Sequence, residues 1–297
     1  MDNELILFDR LNVIRDVIKK HGEENFYLSF SGGKDSTTLH YLLDEALPGN
    51  KMPRVFADTG IEYDSVKEFV LSMQANDERI QVIKPTQNVR QVLENYGYPF
   101  KSKEHAHTLA TYQHSGVGKT VNVYLGVEGY KNRICPKTLH YQFTPEFNLK
   151  ISDKCCQKLK KEPFKKWQNE NNKSIAITGM MASEGGQRAS IKGCVITDKD
   201  GKLKKFHPLL KVSEAWEQWY IERRCIKLCK LYYPPYSFAR TGCKGCPFAL
   251  HLQEQLETMS RLMPAERKQC ELIWQPVYAE YRRIGYRLKT DEQLRLF

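Results

Sequence analysis

One short glycine-rich segment has the residue types that bind phosphate groups: Ser31, Gly32, Gly33, Lys34, Asp35 and Ser36. It lies between an apolar run typical of a buried strand and a segment with helical spacing. The glycines allow backbone N–H groups to approach an anion, and the N-terminus of the helix adds a favourable dipole. The serines supply hydroxyl donors and the lysine supplies a cation. A Gly-Gly pair alone would be typical of an ordinary tight turn, but the six residues together predict a phosphate-binding loop.

A second segment matches a different phosphate loop only in part. Gly118, Lys119 and Thr120 fit the end of the motif Gly-x4-Gly-Lys-Ser/Thr, but Gln113 occupies the position of its first glycine. No clear strand pattern precedes the segment. We therefore interpret residues 116–120 as a solvated loop.

Nine cysteines at irregular spacing do not match the framework of a secreted, disulfide-bonded protein. Two pairs lie far apart in the sequence: Cys155 with Cys156, and Cys243 with Cys246. Four thiolates from such pairs suit an iron–sulfur cluster, which we prefer to the alternatives. Zinc held by Cys225, Cys229 and the second pair is one alternative, and buried apolar cysteines are the other. The remaining cysteines have no partner at a ligand spacing and are interpreted as core residues: Cys135, Cys194 and Cys270.

The phosphate loop and the cysteine pairs must be positioned by the strands and helices of the fold, whose patterns alternate along the sequence. We predict strands at residues 26–30, 55–57, 80–83 and 175–179, with helical spacing between them. This alternation predicts an α/β fold, with a doubly wound, mostly parallel sheet and helices on both faces. Val195-Ile196-Thr197, followed by Asp198-Lys199-Asp200-Gly201, has the pattern of a hairpin turn.

Two regions differ from this alternation. Residues 99–154 show little periodicity, and we expect an ordered but irregular insertion or lid near the strand ends. The C-terminal segment is mainly helical, with Ser213 as an N-cap and Pro264 opening the last helix. We expect residues 1–210 to form the phosphate-binding α/β domain, and residues 211–297 to pack on the same globule.

The charge of the chain favours anionic partners. Lys and Arg number 46 and Asp and Glu number 35, so the net charge is +11, which suits a nucleotide or a nucleic acid. No run of about 18 uncharged apolar residues exists, so we expect no membrane span. The acidic start of the chain does not match a secretory signal. These features predict a cytoplasmic protein.

Several segments resemble one known family. The six-residue loop is similar to the pyrophosphate-binding loop (PP-loop) of the adenine-nucleotide α-hydrolases, specifically the reductases of adenylyl sulfate and phosphoadenylyl sulfate. Residues 179–188 resemble the family's Gly-x-Arg-x-x-Glu-Ser-x-x-Arg. Further similar segments are Asp58-Thr59-Gly60, Phe206-His207-Pro208-Leu209, Leu231-Tyr232 and Gly242-Cys243-Lys244-Gly245-Cys246-Pro247. The resemblance spans roughly residues 25–250.

The resemblance implies roles for particular residues. Four thiolates would hold a [4Fe-4S] cluster beside the nucleotide: Cys155, Cys156, Cys243 and Cys246. Lys154 and Lys158 would offset the negative charge of that cluster. The nucleotide would be bound by the six loop residues together with Asp58, Thr59, Gly60, Glu184 and Arg188.

The chain also departs from the family pattern. The reductases carry a C-terminal Glu-Cys-Gly-Leu/Ile-His, whose cysteine attacks the sulfur of the activated sulfate, and this motif is missing here. Cys270 lies in the corresponding part of the chain, but its spacing also fits a packed helix position. Met181 replaces a family arginine and Gly185 replaces a serine, and the lost guanidinium removes a bidentate contact to an oxyanion.

Three functions follow as expectations. A sulfonucleotide reductase would use Lys34 and Arg188 to hold the substrate and Cys270 to attack it, and a thioredoxin-like dithiol would release sulfite. An ATP-dependent sulfurtransferase would adenylate an oxygen of tRNA or DNA, with Mg²⁺ neutralising charge. The third possibility is a non-catalytic nucleotide sensor. We place the reductase first, with adenylyl sulfate or phosphoadenylyl sulfate as its substrate.

Overall fold

The computed structural model describes residues 2–127, 135–184, 191 and 193–290. In this part of the chain one sheet contains six strands: β1 (Phe26–Ser29), β2 (Arg54–Ala57), β3 (Ile80–Ile83), β4 (Ile175–Ile177), β5 (Val195–Thr197) and β6 (Leu203–Phe206). Their order across the sheet is β3-β2-β1-β4-β6-β5. Neighbouring strands run parallel except β5, which pairs antiparallel with β6. The predicted α/β fold with a doubly wound, mostly parallel sheet is confirmed.

The strand order of the sheet reverses direction at β1. The chain passes from β1 to β2 and β3 on one side and returns to β4 on the other side of β1. In open α/β sheets, ligands bind outside the carboxyl ends of the strands where the order reverses in this way. The loop of residues 31–36 directly follows β1, so the topology positions it at this switch point.

The described residues form these α-helices: α1 (Asn3–His21), α2 (Lys34–Ala46), α3 (Asp64–Gln74), α4 (Val89–Tyr96), α5 (Lys103–Ser115), α6 (Lys119–Leu125), α7 (Lys154–Cys156), α8 (Glu162–Glu170), α9 (Glu214–Arg223), α10 (Leu252–Leu262) and α11 (Pro264–Arg283). A π-helical turn, Gln157–Lys161, joins α7 to α8. The Ser213 hydroxyl accepts the Trp216 N–H at 3.1 Å, so Ser213 caps α9 as predicted.

The chain forms two compact units. The first contains residues up to 58, 62–84 and 163–242, and it includes the sheet and the phosphate loop. The second contains residues 59–61, 85–162 and 243 onward, and it includes all four cysteines predicted to bind metal. The domain boundary that we place at residue 210 stays a prediction.

The region between residues 99 and 154 contains more regular structure than its sequence pattern indicates. It includes α5 and α6 in the second unit. The buried face of α5 carries His105 and Thr108 beside only two apolar residues, so hydrophobic periodicity is weak there. His105 is buried with both ring nitrogens hydrogen bonded, to the Tyr124 hydroxyl at 2.9 Å and to Gln142 Oε1 at 2.7 Å. Polar contacts, rather than apolar burial alone, therefore hold α5 in place.

Residues 116–120 are exposed: residues 116–118 connect α5 to α6, and Lys119 and Thr120 begin α6. The segment joins two helices rather than a strand and a helix; its exposure agrees with the predicted solvated loop, but its last two residues are helical. No helix among the described residues has the length and the apolar character needed to cross a bilayer.

Candidate functional site

The phosphate loop is folded by hydrogen bonds from its two serines. Ser36 Oγ accepts the Ser31 N–H at 3.1 Å and donates to the Gly33 carbonyl at 3.0 Å. The two hydroxyl oxygens lie 2.9 Å apart, and Ser31 Oγ accepts the Gly33 N–H at 3.3 Å. Gly32 has a φ of +67°, and a Cβ on it would lie 2.6 Å from Val70 Cγ2, so no other residue fits there. The serine and glycine types are therefore required by the local geometry.

Two hydroxyl groups from a later segment complete the loop. The Tyr232 hydroxyl accepts the Lys34 N–H at 2.9 Å, at the first turn of α2, and lies 2.8 Å from Thr241 Oγ1. Sequence reasoning includes Tyr232 only in a segment that resembles the family and does not single out Thr241. No sequence pattern marks either residue, because the contact joins segments about two hundred residues apart. A hydroxyl at a helix N-terminus can bond an N–H group or a phosphate oxygen.

The charged residues of the loop have protein partners in this structure. Lys34 Nζ lies 2.9 Å from Oε2 of Glu217, which is fully buried on α9. Burial lowers the pKa of Lys34, but the hydrogen bond and charge of Glu217 outweigh burial, so this pKa is raised. Burial raises the pKa of Glu217. Asp35 Oδ2 lies 3.2 Å from a guanidinium nitrogen of Arg240.

The remaining residues predicted to bind nucleotide lie outside the phosphate loop, in several parts of the chain. Asp58 follows β2 at the carboxyl end of the strand, and its carboxylate lies 2.7 Å from Lys67 Nζ. Thr59 and Gly60 belong to the second unit, and Gly60 has a φ of +79°. Glu184 ends a short 3-10 helix, Ala182–Glu184, and Arg188 lies outside the described residues. Nucleotide binding by these residues stays a prediction.

The end of β4 closely approaches the phosphate loop. A Cβ on Gly179 would lie 2.8 Å from the carbonyl carbon and oxygen of Asp35. This contact brings the start of residues 179–188 against the first turn of α2. Met181, in place of the family arginine, is buried.

The four predicted ligand cysteines are grouped in the second unit. Burial raises the pKa of Cys155, and the charges of Cys243, Cys156 and Cys246 raise it further. Burial also raises the pKa of Cys246 to about 12, again with contributions from Cys243 and Cys156. Segments separated by almost ninety residues of sequence therefore bring four thiols within electrostatic range of one another.

Two observations bear on a metal group at this position. Four thiols are the donor set of a [4Fe-4S] cluster, and their mutual repulsion as thiolates would be relieved by bound iron. Among the described residues, no set of three or more His, Cys, Asp or Glu side chains has an arrangement that could hold a metal ion. The donor chemistry fits the cluster, and the cofactor itself stays a proposal. Cys225 and Cys229 of the zinc alternative lie in the first unit.

A lysine that sequence reasoning missed lies near these thiols. Burial raises the pKa of Cys155 and of Cys246, and the positive charge of Lys160 opposes part of that rise in both. By contrast, Lys154 Nζ donates to Gln157 at 3.4 Å, and Lys158 Nζ lies 2.9 Å from Glu162. Lys160 follows Cys156 by four residues, about one helical turn, and that spacing is the signal that could have identified it.

Cys270 lies on α11 and is completely buried, at 0% exposure. A Cβ on Gly245 would lie 2.7 Å from its sulfur, so the thiol packs against the Cys243–Cys246 turn. Burial raises the pKa of Cys270 to about 12. These surroundings agree with the interpretation of Cys270 as a packed helix position, and its role as nucleophile stays a prediction.

Solved structures with a similar fold have low sequence identity to this chain. A phosphoadenylyl-sulfate reductase from Candida auris, in a phosphate complex, is 12% identical, with a TM-score of 0.42 over 74% of this chain and 88% of that chain. An NH₃-dependent NAD synthetase from Campylobacter jejuni is 13% identical, with a TM-score of 0.43 over 93% and 94%. The U34-tRNA thiolase from Methanococcus maripaludis, with its [4Fe-4S] cluster, is 13% identical, with a TM-score of 0.38 over 95% and 80%.

Comparison with curated protein sequences gives no match. The sequence profile of the phosphoadenosine phosphosulfate reductase domain matches residues 25–134 and 117–249, which together make up most of the chain. The match covers the phosphate loop and all four grouped cysteines. The chain therefore belongs to the phosphoadenosine phosphosulfate reductase domain family.

Proposed function

We propose that this protein is an ATP-dependent sulfur-transfer enzyme, with the phosphates of ATP bound at residues 31–36 and a [4Fe-4S] cluster in the second unit. Four hydroxyl-bearing side chains, those of Ser31 and Ser36 in the loop and of Tyr232 and Thr241 outside it, lie with the backbone N–H groups of the loop at the N-terminus of α2, at the switch point of the sheet. Such a set of donors suits the oxygens of a pyrophosphate group.

The burial of Cys270 is the observation that favours this reaction over sulfonucleotide reduction. A reductase needs a thiolate that reaches the sulfonyl sulfur, because the thiolate and not the thiol is the nucleophile. Cys270 is fully buried and its pKa is about 12. Burial therefore disfavours the thiolate that the attack on the sulfonyl sulfur requires.

In the proposed reaction an oxygen of the acceptor attacks the α-phosphorus of ATP. The bond to the β-phosphate breaks and pyrophosphate leaves, which produces an adenylated acceptor. Sulfide then attacks the acceptor atom that carries the adenylated oxygen, the bond to that oxygen breaks, AMP leaves with the oxygen, and the sulfur stays on the acceptor. Mg²⁺ would neutralise charge on the phosphates. The net charge of +11 supports a nucleic acid, tRNA or DNA, as the acceptor.

The grouped thiols of Cys155, Cys156, Cys243 and Cys246 support the cluster, since they are the residue type and number that it requires. Lys160 would offset its negative charge. When bound, the cluster would supply iron with affinity for the incoming sulfur.

Reduction of adenylyl sulfate or phosphoadenylyl sulfate is the second candidate, because the family profile extends over residues 25–249. In that reaction a thiolate attacks the sulfonyl sulfur and the adenosine nucleotide leaves. A thioredoxin-like dithiol then reduces the enzyme-bound thiosulfonate and releases sulfite.

Parallel assays with anaerobically purified protein distinguish these reactions. ATP is supplied with sulfide and either tRNA or duplex DNA, and pyrophosphate is measured. Adenylyl sulfate and phosphoadenylyl sulfate are supplied with thioredoxin, and sulfite is measured. We expect pyrophosphate release that depends on the nucleic acid. Sulfite release without pyrophosphate would replace the proposal by the reductase, and nucleotide binding without either product would indicate a sensor.

A further inference from the structure

The carboxylate of Glu217 depends on the phosphate loop for its charge compensation. Lys34 Nζ lies 2.9 Å from Glu217 Oε2, and the Glu217 side chain is at 0% exposure. Among the described residues, no other cation lies within ion-pair distance of Glu217, and neither of its carboxylate oxygens has another hydrogen-bond partner. A buried carboxylate that loses its cation is strongly destabilised. The structure therefore favours keeping Lys34 paired with Glu217.

The helix α9 is fixed on both sides of Glu217. Trp216 Nε1 donates to the carbonyl of the first residue of α1 at 3.0 Å. The Tyr220 hydroxyl donates to Oε2 of Glu45 on α2 at 2.9 Å. Trp216 and Tyr220 also stack on each other, with ring centroids 5.5 Å apart. Because these contacts hold α9 against α1 and α2, the Glu217 carboxylate stays in place when a ligand approaches Lys34.

The ion pair presents no net charge to a ligand at residues 31–36. The Lys34 N–H donates to the Tyr232 hydroxyl at 2.9 Å, which fixes the backbone of Lys34 at the first turn of α2. Its side chain keeps 20% of its surface exposed, so a small anion can reach the ammonium. That anion is attracted by the ammonium and repelled by the carboxylate directly beside it. The positive charge of Lys34 therefore contributes little to the binding of phosphate.

We propose that Glu217 is a positioning residue that holds the Lys34 ammonium in an ion pair and so weakens the binding of the pyrophosphate group. The inference rests on the proposed function, which places the phosphates of ATP at residues 31–36. Pyrophosphate leaves in the proposed reaction, so the same weakening favours release of this product. A neutral side chain in place of Glu217 leaves Lys34 with its full charge, which strengthens the binding of both ATP and pyrophosphate.

The test compares the wild type with Glu217→Gln, Lys34→Gln and the variant that carries both substitutions. Glutamine keeps the shape of Glu217 and removes its charge. The matched control is Glu214→Gln, because Glu214 lies about one turn earlier on α9 and is exposed. Titration calorimetry measures the dissociation constants of ATP with Mg²⁺ and of inorganic pyrophosphate, and thermal melts of the same preparations report whether each protein is folded.

Glu217→Gln should bind ATP and pyrophosphate about tenfold more tightly than the wild type, because the released ammonium gains a charge-assisted hydrogen bond to phosphate. Lys34→Gln should weaken ATP binding about twofold in the wild-type background and about tenfold in the Glu217→Gln background. A merely structural role of Glu217 would not make the effect of one substitution depend on the other. Glu214→Gln should bind ATP as the wild type does.

Equal ATP affinity in the wild type and in a folded Glu217→Gln protein would overturn the inference and leave the phosphate site intact. A wild-type protein that binds neither ATP nor pyrophosphate would overturn the proposed function, and this inference with it. If Glu217→Gln fails to fold, Lys34→Gln in the wild-type background decides. A loss of about twofold in ATP affinity then supports the inference, and a loss of about tenfold or more overturns it, because the lysine would already act with its full charge.

Discussion

Replacing Gly33 by alanine should abolish most nucleotide binding without unfolding the protein. A Cβ on Gly33 would lie 3.3 Å from each of three oxygens: Ser31 Oγ, Tyr232 OH and Thr241 Oγ1. The new methyl group therefore enters the ring of hydroxyls that surrounds the first N–H groups of the loop and of α2. Gly33 has a φ of −82° and a ψ of 165°, which alanine adopts without strain.

The size of the expected loss in nucleotide affinity follows from the hydrogen-bond donors to phosphate that the methyl group displaces. A hydrogen bond to a charged group contributes about 1.5–3 kcal/mol, so the loss of one phosphate contact of ~2 kcal/mol weakens binding roughly 30-fold. The effect on folding is smaller. A Gly-to-Ala change at a compatible backbone position contributes about 0.4–1 kcal/mol of stability through the unfolded chain, and the tight contacts with the three oxygens act against this gain. The melting temperature should stay within about 4 °C of the wild type.

The assay compares ATP titrations by calorimetry with thermal melts of the same preparations. Gly118→Ala is the matched control, because Gly118 belongs to the segment that only partly resembles a phosphate loop. Its φ is −146°, and nothing lies within 4 Å of a Cβ built there. This variant should bind ATP as the wild type does.

Two results would refute the reasoning. If Gly33→Ala binds ATP with wild-type affinity and melts normally, the loop of residues 31–36 is not the phosphate site. If Gly118→Ala loses affinity instead, the segment at residues 116–120 takes over that role.

Three further predictions concern other parts of the chain. Cys246→Ser should lose iron and brown colour whereas the exposed-site control Cys225→Ser keeps both, and equal iron in the two proteins would contradict the ligand assignment. Cys270→Ser should retain turnover because its thiol is buried, and loss of turnover with an unchanged melting temperature would identify Cys270 as the nucleophile. Burial lowers the pKa of His105 from 6.5 to about 4, so the unfolded chain takes up a proton before the folded one, and the free energy of unfolding should fall by roughly 3 kcal/mol as the pH drops from 6.5 to 4. In urea unfolding measured at a series of pH values, His105→Gln should remove this part of the pH dependence of the free energy of unfolding. An unchanged pH dependence would contradict the prediction.

The sheet could be predicted because its strands carry a strong local signal. Three residues of β1 and all four of β2 are buried, as expected for parallel strands covered on both faces, and such runs stand out in the sequence. The helix α5 could not be predicted in the same way. Its buried His105 is held by Tyr124 and Gln142, which are distant in sequence, so no local periodicity reveals it.

The candidate site also combines contacts that the sequence predicts with contacts that it does not predict. The serines and glycines of the loop act on one another within six residues, so the sequence predicts their geometry well. Tyr232 and Thr241 reach the loop from about two hundred residues away, and a pattern in one sequence does not contain that contact. The grouping of the four cysteines could be predicted only in part. Their type and pairing indicate a common ligand set, and the fold then groups them in one unit.

The contact partner of Lys34 is the feature of the site that the local sequence pattern predicts least well. A lysine in a phosphate loop is expected to face phosphate, yet its ammonium lies 2.9 Å from the buried carboxylate of Glu217. Because Glu217 is at 0% exposure, moving Lys34 to a phosphate would leave a buried carboxylate without its cation, which costs several kcal/mol. We infer that the positive charge of Lys34 is largely neutralised by Glu217 when the nucleotide binds. Affinity for the phosphates then depends mainly on backbone N–H groups and hydroxyls, so one methyl group at Gly33 should matter more than a lost charge at Lys34.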